Sequence, residues 1–433
     1  MIGAVDGYSQ SVLITNLAGA LFDVQNDAGF VYSDPGGYGT AGYRLYNAGT
    51  LRKSAGSGTN RFDPQLVFIN AGRVELLQGA FQFPNGFASS GTFALAGNTA
   101  VNLDGGTFNF GAASSKSGPG LLLVDDGDVT LNGTVPSLSW AGGRVVGSSF
   151  TVAADAVLAI VGSVDKYVVR STINNAGSII WTGTGQLVAA MDGYSQSVLI
   201  TNLAGALFDI QNDSTLGYAD PSGYGFASYY LHNAGTLRKS AGAATTFLAS
   251  QCSFVNAGST ELRSGTLHLG SAFTQTSLGK LGLHALNLTV AQPRLVVDST
   301  ANVDGTLELK LIPGIAALGQ SVAVITFGNL ANAFAHTTGL ILGSGLWLRP
   351  TYNAHDLNLT VEGPPKVVSL QSSAEGFKLA WQGEPGVAYQ VFGSTNLLDW
   401  QLLLSTNTPN GFFQFVDPEY PARPLRFYRT TIQ

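Results

Sequence analysis

The sequence is poor in cysteine and in charge. Cys252 is the one cysteine among 433 residues, so neither a disulfide framework nor a thiolate metal site can form within this chain. Charged residues make up 11% of the sequence, less than half of the roughly 25% found in ordinary soluble domains. The net charge is −6 and the basic residues are scattered, which excludes nucleic acid from the expected partners.

Long apolar runs and helical periodicity are also missing. No stretch reaches the roughly 18 apolar residues of a membrane-spanning helix, so no membrane-spanning segment is expected. The scarcity of charge suits a stacked β architecture, because coils about 4.8 Å apart would bring like charges almost into contact. Glycine is abundant instead, with 55 residues, and it suits the many tight turns of such a fold.

A long internal repeat organises the first two thirds of the chain. Residues 6–56 recur at 192–242, an offset of 192 − 6 = 186, and 40 of these 51 positions are identical. The register continues over 6–83 and 192–269. Cys252 aligns with the apolar Leu66, which predicts a buried and chemically inert thiol.

The repeat also shows where the first residues of the sequence fall within a repeat unit. Met1 aligns with Leu187, which lies in the middle of a repeat unit, and the first residues lack the features of a signal peptide. We therefore expect the sequence to be an N-terminally truncated part of a longer polypeptide that is secreted or displayed at the cell surface.

A finer period is marked by the triplet Asn-Ala-Gly. Two pairs of triplets are separated by 23 residues (70 − 47 and 256 − 233), the length of one β-helix coil. Asn and Gly readily adopt positive φ, so the triplet predicts a corner between two short strands. The triplets begin at Asn47, Asn70, Asn175, Asn233 and Asn256. The sequence thus predicts an all-β, right-handed parallel β-helix (solenoid) with parallel stacking to about residue 360.

The coil length fixes which residues lie above one another. Stacked asparagines are expected to form a hydrogen-bonded ladder from coil to coil. Five residues beyond the asparagines, Arg52 is expected over Glu75, and Arg238 over Glu261, on the outer face. Such pairs specify register more than they add stability.

Residues 1–270 are predicted to form the β-helix coils and 271–363 the terminal coils and a cap. The strand pattern at 303–311, 319–327, 346–348 and 357–361 resembles the closing segment of bacterial autotransporter-like β-helix surface proteins. That resemblance implies a cap over the open end of the solenoid and an extracellular, bacterial repeat protein.

A linker, Gly363-Pro364-Pro365, precedes a region of six short strand-like segments. Residues 364–433 resemble a fibronectin type III-like or immunoglobulin-like module, with Trp381 and Tyr389 at core positions and 426–429 as the late strand. The resemblance implies a small antiparallel β-sandwich. The chain ends after the sixth strand, where that family has one more.

No catalytic constellation stands out, and no catalytic residue, metal ligand or cofactor is assigned. The group at 125–128, Asp-Asp-Gly-Asp, has the spacing of a polar turn, and the five histidines are scattered. A set of tyrosines and aspartates in the loop segment of both repeats is a candidate for stacking on sugar rings, or else packs the loop onto the solenoid. These residues are Asp34, Tyr38, Tyr43, Asp220, Tyr224 and Tyr229.

The function expected from these features is structural or adhesive. A stiff solenoid would display weak contacts many times over, with carbohydrate or other cell-surface polymers as partners. The alternative is a β-helix protein that binds or degrades polysaccharide. Catalysis is left open, with a non-catalytic role preferred.

Overall fold

The computed structural model describes residues 1–433 except 5–10, 35, 38–41, 194–195, 221–222, 224–227, 291, 313–315, 344, 423–424 and 433. The described chain is all-β: 49 strands and one 3₁₀ turn, Tyr420–Ala422. The predicted fold class is confirmed, because a long parallel β-helix is followed by small antiparallel sheets.

The strands are short, as expected for coils with frequent corners. Strands β1 to β17 are Ile2–Ala4, Val12–Asn16, Leu21–Val24, Val31–Ser33, Tyr43–Asn47, Thr50–Lys53, Thr59–Arg61, Leu66–Asn70, Arg73–Leu76, Ala80–Phe83, Gly86–Ser89, Thr92–Leu95, Ala100–Leu103, Gly106–Phe110, Ser115–Ser117, Leu121–Val124 and Asp128–Val135. Strands β18 to β36 are Leu138–Trp140, Arg144–Val146, Ser149–Val152, Val157–Ile160, Lys166–Val169, Thr172–Asn175, Ser178–Trp181, Leu187–Ala190, Ser197–Asn202, Leu207–Ile210, Thr215–Ala219, Ser228–Asn233, Thr236–Lys239, Thr245–Leu248, Cys252–Asn256, Ser259–Leu262, Thr266–Leu269, Phe273–Gln275 and Lys280–Leu286. Strands β37 to β49 are Leu295–Asn302, Thr306–Leu311, Ser321–Asn332, His336–Thr338, Ile341–Gly343, Leu346–Tyr352, Asp356–Glu362, Lys366–Ser373, Gly376–Gln382, Ala388–Ser394, Gln401–Asn407, Phe412–Asp417 and Phe427–Ile432.

The strand register confirms the predicted 23-residue coil. Strand β5 pairs in parallel with β8, so that Asn47 lies beside Asn70, and β29 pairs in the same way with β32, so that Asn233 lies beside Asn256. One parallel sheet of 13 strands runs from β7 to β40. At about 4.8 Å per strand, its 13 − 1 = 12 spacings span about 58 Å.

The faces of the solenoid are not continuous along its length. A five-stranded sheet contains β3, β6, β9, β12 and β15, and it ends at Ser117. Beyond it, the eight-residue strand β17 pairs with both β19 and β20 of the next coil. As a result, the repeated segment Thr-Leu-Arg-Lys lies in the five-stranded sheet in the first copy and in the 13-stranded sheet in the second.

The interior is filled by the inward-facing residues of alternating strands. Strand β5 shows the rule: Tyr43, Leu45 and Asn47 are buried while Arg44 and Tyr46 point outward. One cluster of buried apolar side chains extends from Val24 to Val361. Cys252 belongs to it, as its alignment with Leu66 predicted.

The end of the solenoid departs from the expected parallel stacking to residue 360. Strand β39 pairs in parallel with β37 on one side but antiparallel with β43 on the other, and β42 pairs antiparallel with β43. An open parallel edge would leave a row of unpaired backbone groups, and the antiparallel strand β43 pairs with those of β39.

The last six strands form two antiparallel three-stranded sheets. Their orders are β44-β45-β48 and β47-β46-β49, and their number matches the six strand-like segments of the sequence. A separate core holds them together, in which the rings of Trp381 and Tyr389 stack on Phe413 with centroid distances of 5.4 and 5.2 Å.

Candidate functional site

Two buried ladders of amide side chains run along the interior corner of the solenoid. In the first, each Nδ2 donates to the next Oδ1 at 2.8 Å through Asn16, Asn47 and Asn70, and Asn70 donates to the hydroxyl of Ser89. The second contains Asn175, Asn202, Asn233, Asn256 and Gln275, with bonds of 2.8 to 2.9 Å. The predicted asparagine ladder is therefore confirmed. Because most rungs also donate to a backbone carbonyl of the next coil, as Asn47 does to Arg73, the ladder fixes both register and spacing.

A column of charges stacks on the outer face, as the coil register predicted. Arg52 lies beside Glu75 and its Nε is 2.6 Å from the carboxylate. In the second copy Arg238 also lies beside Glu261, but it forms its ion pair with Asp209, at 2.7 Å. Burial acts to raise the pKa of Asp209, yet the hydrogen bonds from Arg238 and Gln211 outweigh it and lower that pKa. The buried Asp209 thus takes the arginine, and Glu261 pairs with Arg263 instead.

Lys53 and Lys239, at matched positions of the long repeat, point into the solenoid, and the sequence analysis did not predict their burial. Lys53 is fully buried, and its Nζ donates to the carboxylate of Asp27 at 2.8 Å, to Asn60 Oδ1 at 2.7 Å and to the carbonyl of Asn26 at 3.0 Å. Strand alternation carries the signal that was overlooked, since Arg52 points outward and the next residue must point inward.

The second copy repeats this arrangement around Lys239, which is 1% exposed. Its Nζ donates to Asp213 at 2.8 Å and to the carbonyls of Asn212 and Ala241. A buried ammonium is tolerated only when its hydrogen bonds are made. Here Asn212 and Asp213 in the loop of the preceding coil supply two of them, and the carbonyl of Ala241 supplies the third. Each lysine therefore joins its own strand to the loop of the preceding coil.

The structure separates the six candidate sugar-binding residues. Tyr43 and Tyr229 are each 1% exposed and belong to the interior cluster, and burial raises the pKa of both phenols. Their rings cannot stack on a ligand outside the solenoid, so these two leave the candidate set. The physical reason is again alternation, because Tyr43 shares the inward side of β5 with Leu45.

Of the remaining candidates, Asp34 directly follows strand β4 and Asp220 directly follows strand β28. Asp34 and Asp220 are partly exposed, and each closes the same turn, accepting a bond at 3.2 Å from the backbone N–H of Gly37 and Gly223 respectively. Tyr38 and Tyr224 lie outside the described residues. The partly exposed aromatic next to Asp34 is Tyr32, whose pKa is raised by burial and by the nearby carboxylate.

A polar groove crosses successive coils of the 13-stranded sheet. It has a volume of about 400 Å³ and is lined by Arg61, Gln82, Pro84, Asn102, Asp104, Asp125 and Asp126. Arg61, Gln82 and Asn102 lie side by side in the strand register, and Gln82 Nε2 donates to Asp104. The side-chain oxygen of Asn102 is buried without a partner among the described residues. The groove offers hydroxyl-bearing ligands a row of amide and carboxylate groups.

Other chemistry-bearing residues have structural partners. Among the described residues, no group of three or more histidine, cysteine, aspartate or glutamate side chains could hold a metal ion. Asp125 and Asp126 line the groove, and Asp128 pairs with Arg144 at 3.3 Å. Burial raises the pKa of the Cys252 thiol to about 12, so this sulfur is inert in the folded protein.

The histidines are distributed over separate coils, as the sequence suggested. His268 contacts Asp298 at 2.7 Å, His284 contacts Glu308 at 3.0 Å, and His355 contacts the carbonyl of Gly328 at 2.9 Å. These contacts join neighbouring coils or strands. They form no shared centre in the described part of the chain.

The C-terminal module has its own cavity of about 250 Å³, lined in part by Asp399, Trp400 and Arg426. The guanidinium of Arg429 lies 4.3 Å from the Trp400 ring centroid and covers that ring face. Arg426 is held by Asp417 at 3.0 Å. The cavity is therefore bounded by groups that already bind each other.

The groove and the cavity of the C-terminal module are open and are lined mainly by polar residues. No helix in the described residues is long and apolar enough to cross a bilayer. Comparison with known proteins finds no matching family model, no similar curated protein and no similar solved structure.

Proposed function

We propose that this protein is a secreted or cell-surface structural and adhesive repeat protein without catalytic activity. The observation that carries the proposal is the pair of buried amide ladders, which join successive coils from Asn16 to Ser89 and from Asn175 to Gln275 with bonds of 2.8 to 3.1 Å. A solenoid joined in this way is a stiff rod that keeps its surface features at fixed spacing.

Stiffness favours binding through many weak contacts. A rod of about 58 Å, from the 12 spacings of its longest sheet, holds repeated surfaces at distances that do not fluctuate. Several weak contacts to one polymer then act together, because each further contact forms at a high effective concentration. The expected partners are carbohydrate or other cell-surface polymers.

The buried charges support a structural role. In the described part of the chain, Lys53, Lys166, Lys239, Asp209 and Asp417 are buried, and each is bonded to a backbone carbonyl or an opposite charge. A catalytic acid or base usually combines burial with an accessible reacting atom. These five side chains serve as ties between segments.

The test compares binding with cleavage. The protein is incubated with a panel of acidic and neutral polysaccharides, first as free molecules and then at increasing density on beads. Retention should rise much more steeply with bead density than free binding does, and no new reducing ends or unsaturated sugars should form. Release of such products by the free protein would contradict the proposal.

The second candidate is polysaccharide binding at the groove, and the groove itself favours it. Gln82, Asn102 and Asp104 offer adjacent hydrogen-bonding groups at the spacing of stacked strands. The variant Asn102→Ala should weaken glycan retention, whereas Asn132→Ala, on a different sheet, should leave it unchanged. Equal retention by both variants would remove the groove from consideration.

We also infer a family for each part of the chain. The antiparallel closing strands β39, β42 and β43 support an autotransporter-like bacterial β-helix. The buried Trp381 and Tyr389, in the core shared by two three-stranded sheets, support a fibronectin type III-like or immunoglobulin-like module.

A further inference from the structure

A small cavity lies between strand β39 and the segment that joins β36 to β37. Its volume is about 130 Å³. Four buried aliphatic side chains, each no more than 7% exposed, form its floor: Leu286, Leu288, Val322 and Val324. Val290 and Gln292 also line it and are exposed, so a small molecule can reach the floor from solvent.

Arg294 is the only charged residue among the described residues that line this cavity. Its Nη2 donates to the carbonyls of Leu262 at 3.1 Å and His284 at 3.0 Å. Its Nε is buried and has no hydrogen-bond partner among the described residues. A buried donor without a partner is costly, so a ligand that accepts a bond from this nitrogen is favoured.

The positive charge of Arg294 also lacks a counter-charge. Burial lowers the pKa of this guanidinium, and no carboxylate acts against that effect. Lys53, Lys239 and Arg426 differ, because each has an aspartate carboxylate at 2.8 to 3.0 Å. Burial lowers the pKa of Lys239 too, and the charge of Arg294 acts in the same direction. An anion in the cavity would supply the missing negative charge.

The backbone is irregular where it holds the arginine. The pairing of β36 with β38 shifts register between Leu283 and Leu286. Between them Ala285 has a φ of 50°, in the left-handed region that residues with a side chain rarely adopt. The preceding residue, His284, provides one of the two carbonyls that bind Arg294. Such backbone positions cluster at ligand sites, where the surrounding structure maintains them.

We propose that this cavity binds a small aliphatic carboxylate, with the carboxylate on Arg294 and the alkyl chain against the leucines and valines of the floor. At about 30 Å³ per water molecule, the volume equals that of about four waters, which suits an acid of about two to four carbons. The site goes beyond weak adhesion along the rod, and it does not depend on it. It is a single site of defined size and charge.

The test measures binding of propionate to the full chain by ligand-detected NMR at constant ionic strength. Propionamide, which has nearly the same shape without the charge, and inorganic phosphate, which has charge without an alkyl chain, are titrated in parallel. Propionate should bind at least about tenfold more tightly than either. Absence of propionate binding, or equal binding of propionamide, would overturn the proposal. Equal binding of phosphate would show a general anion site and would refute the carboxylate as its ligand.

Two variants locate the site, and each is first shown to be folded by urea unfolding. Arg294→Met removes the charge, and Val324→Leu fills part of the floor while it keeps the guanidinium. Both should weaken propionate binding by at least about tenfold. The control is Arg263→Met, since that more exposed arginine pairs with Glu261 at 2.8 Å, and its propionate affinity should equal that of the native protein. Native affinity in either folded cavity variant would refute the assignment.

Discussion

The amide ladder predicts a large loss of stability when one interior rung is removed. Asn47 is completely buried and takes part in three hydrogen bonds: from Asn16 at 2.8 Å, to Asn70 at 2.8 Å and to the carbonyl of Arg73 at 3.0 Å. Asn47→Ala removes all three and leaves the oxygen of Asn70 without its donor. The substitution therefore acts on two coils besides its own.

The magnitude follows from ordinary hydrogen-bond energetics. Each bond contributes about 1 kcal/mol net, and a buried polar group left without a partner costs about 1–3 kcal/mol more. The free energy of unfolding should fall by about 3–5 kcal/mol, the upper range for one substitution. Asn233→Ala should match it within about 1 kcal/mol, because Asn233 makes the same contacts with Asn202, Asn256 and Ser259.

An exposed rung provides the matched control. Asn132 donates to Asn109 at 3.0 Å in the same coil-to-coil geometry, but on the solvent side. Asn132→Ala should cost less than about 1 kcal/mol, since water replaces the lost bond. The three variants and the native protein are compared by urea unfolding. Equal losses for Asn47→Ala and Asn132→Ala would refute the reasoning that burial gives the ladder its effect.

Three further predictions concern a buried lysine, a partly buried glutamate and the thiol. Lys239→Met should lower the free energy of unfolding, measured by urea unfolding, by about 2–4 kcal/mol, because Asp213 and two carbonyls lose their donor. A smaller effect than that of Lys280→Met would contradict this prediction. For Glu308, burial acts to raise the pKa, but hydrogen bonds from His284, Lys280 and Lys310 outweigh it and lower the pKa to about 2. The stabilisation from this carboxylate is complete above its unfolded pKa of about 4.5 and is lost as pH falls through 2. Glu308→Gln should therefore destabilise the protein by up to about 3 kcal/mol at neutral pH and have no effect near pH 1. Cys252 should resist a thiol reagent at pH 8 and react at once in urea; rapid labelling of the native protein would show that the thiol is not buried.

The coil register was readable from the sequence because its signal is local. Asn-Ala-Gly marks a corner, the 23-residue spacing aligns Asn47 with Asn70, and the same count puts Arg52 beside Glu75. These relations depend only on chain length between corners. They hold wherever two successive coils have the same number of residues.

The interior partners were not readable, because they come from residues far apart in sequence. Lys53 is balanced by Asp27 and Asn26, which belong to the loop of the preceding coil. The inward direction of Tyr43 was available from alternation with Leu45, but its polar hydroxyl and turn-rich surroundings favoured a loop position. The preference of Arg238 for Asp209 over Glu261 depends on burial, which spacing does not report.

The duplicated segment shows what determines the environment of a residue in this fold. Thr50–Lys53 belongs to the five-stranded sheet and Thr236–Lys239 to the 13-stranded sheet. Nevertheless Lys239 has the same kinds of acceptor as Lys53, namely one aspartate carboxylate and two backbone carbonyls. The third side chain differs, because Thr246 replaces Asn60 and its hydroxyl donates to the carbonyl of Asn212 at 2.8 Å. The environment is set by the adjacent coil and its loop, and not by the sheet as a whole. Each coil contacts only its neighbours, so further coils can be added to such a rod without changing the bonds inside the existing coils. The length of the rod and the number of its surface contacts can therefore grow while the stability of each coil stays the same.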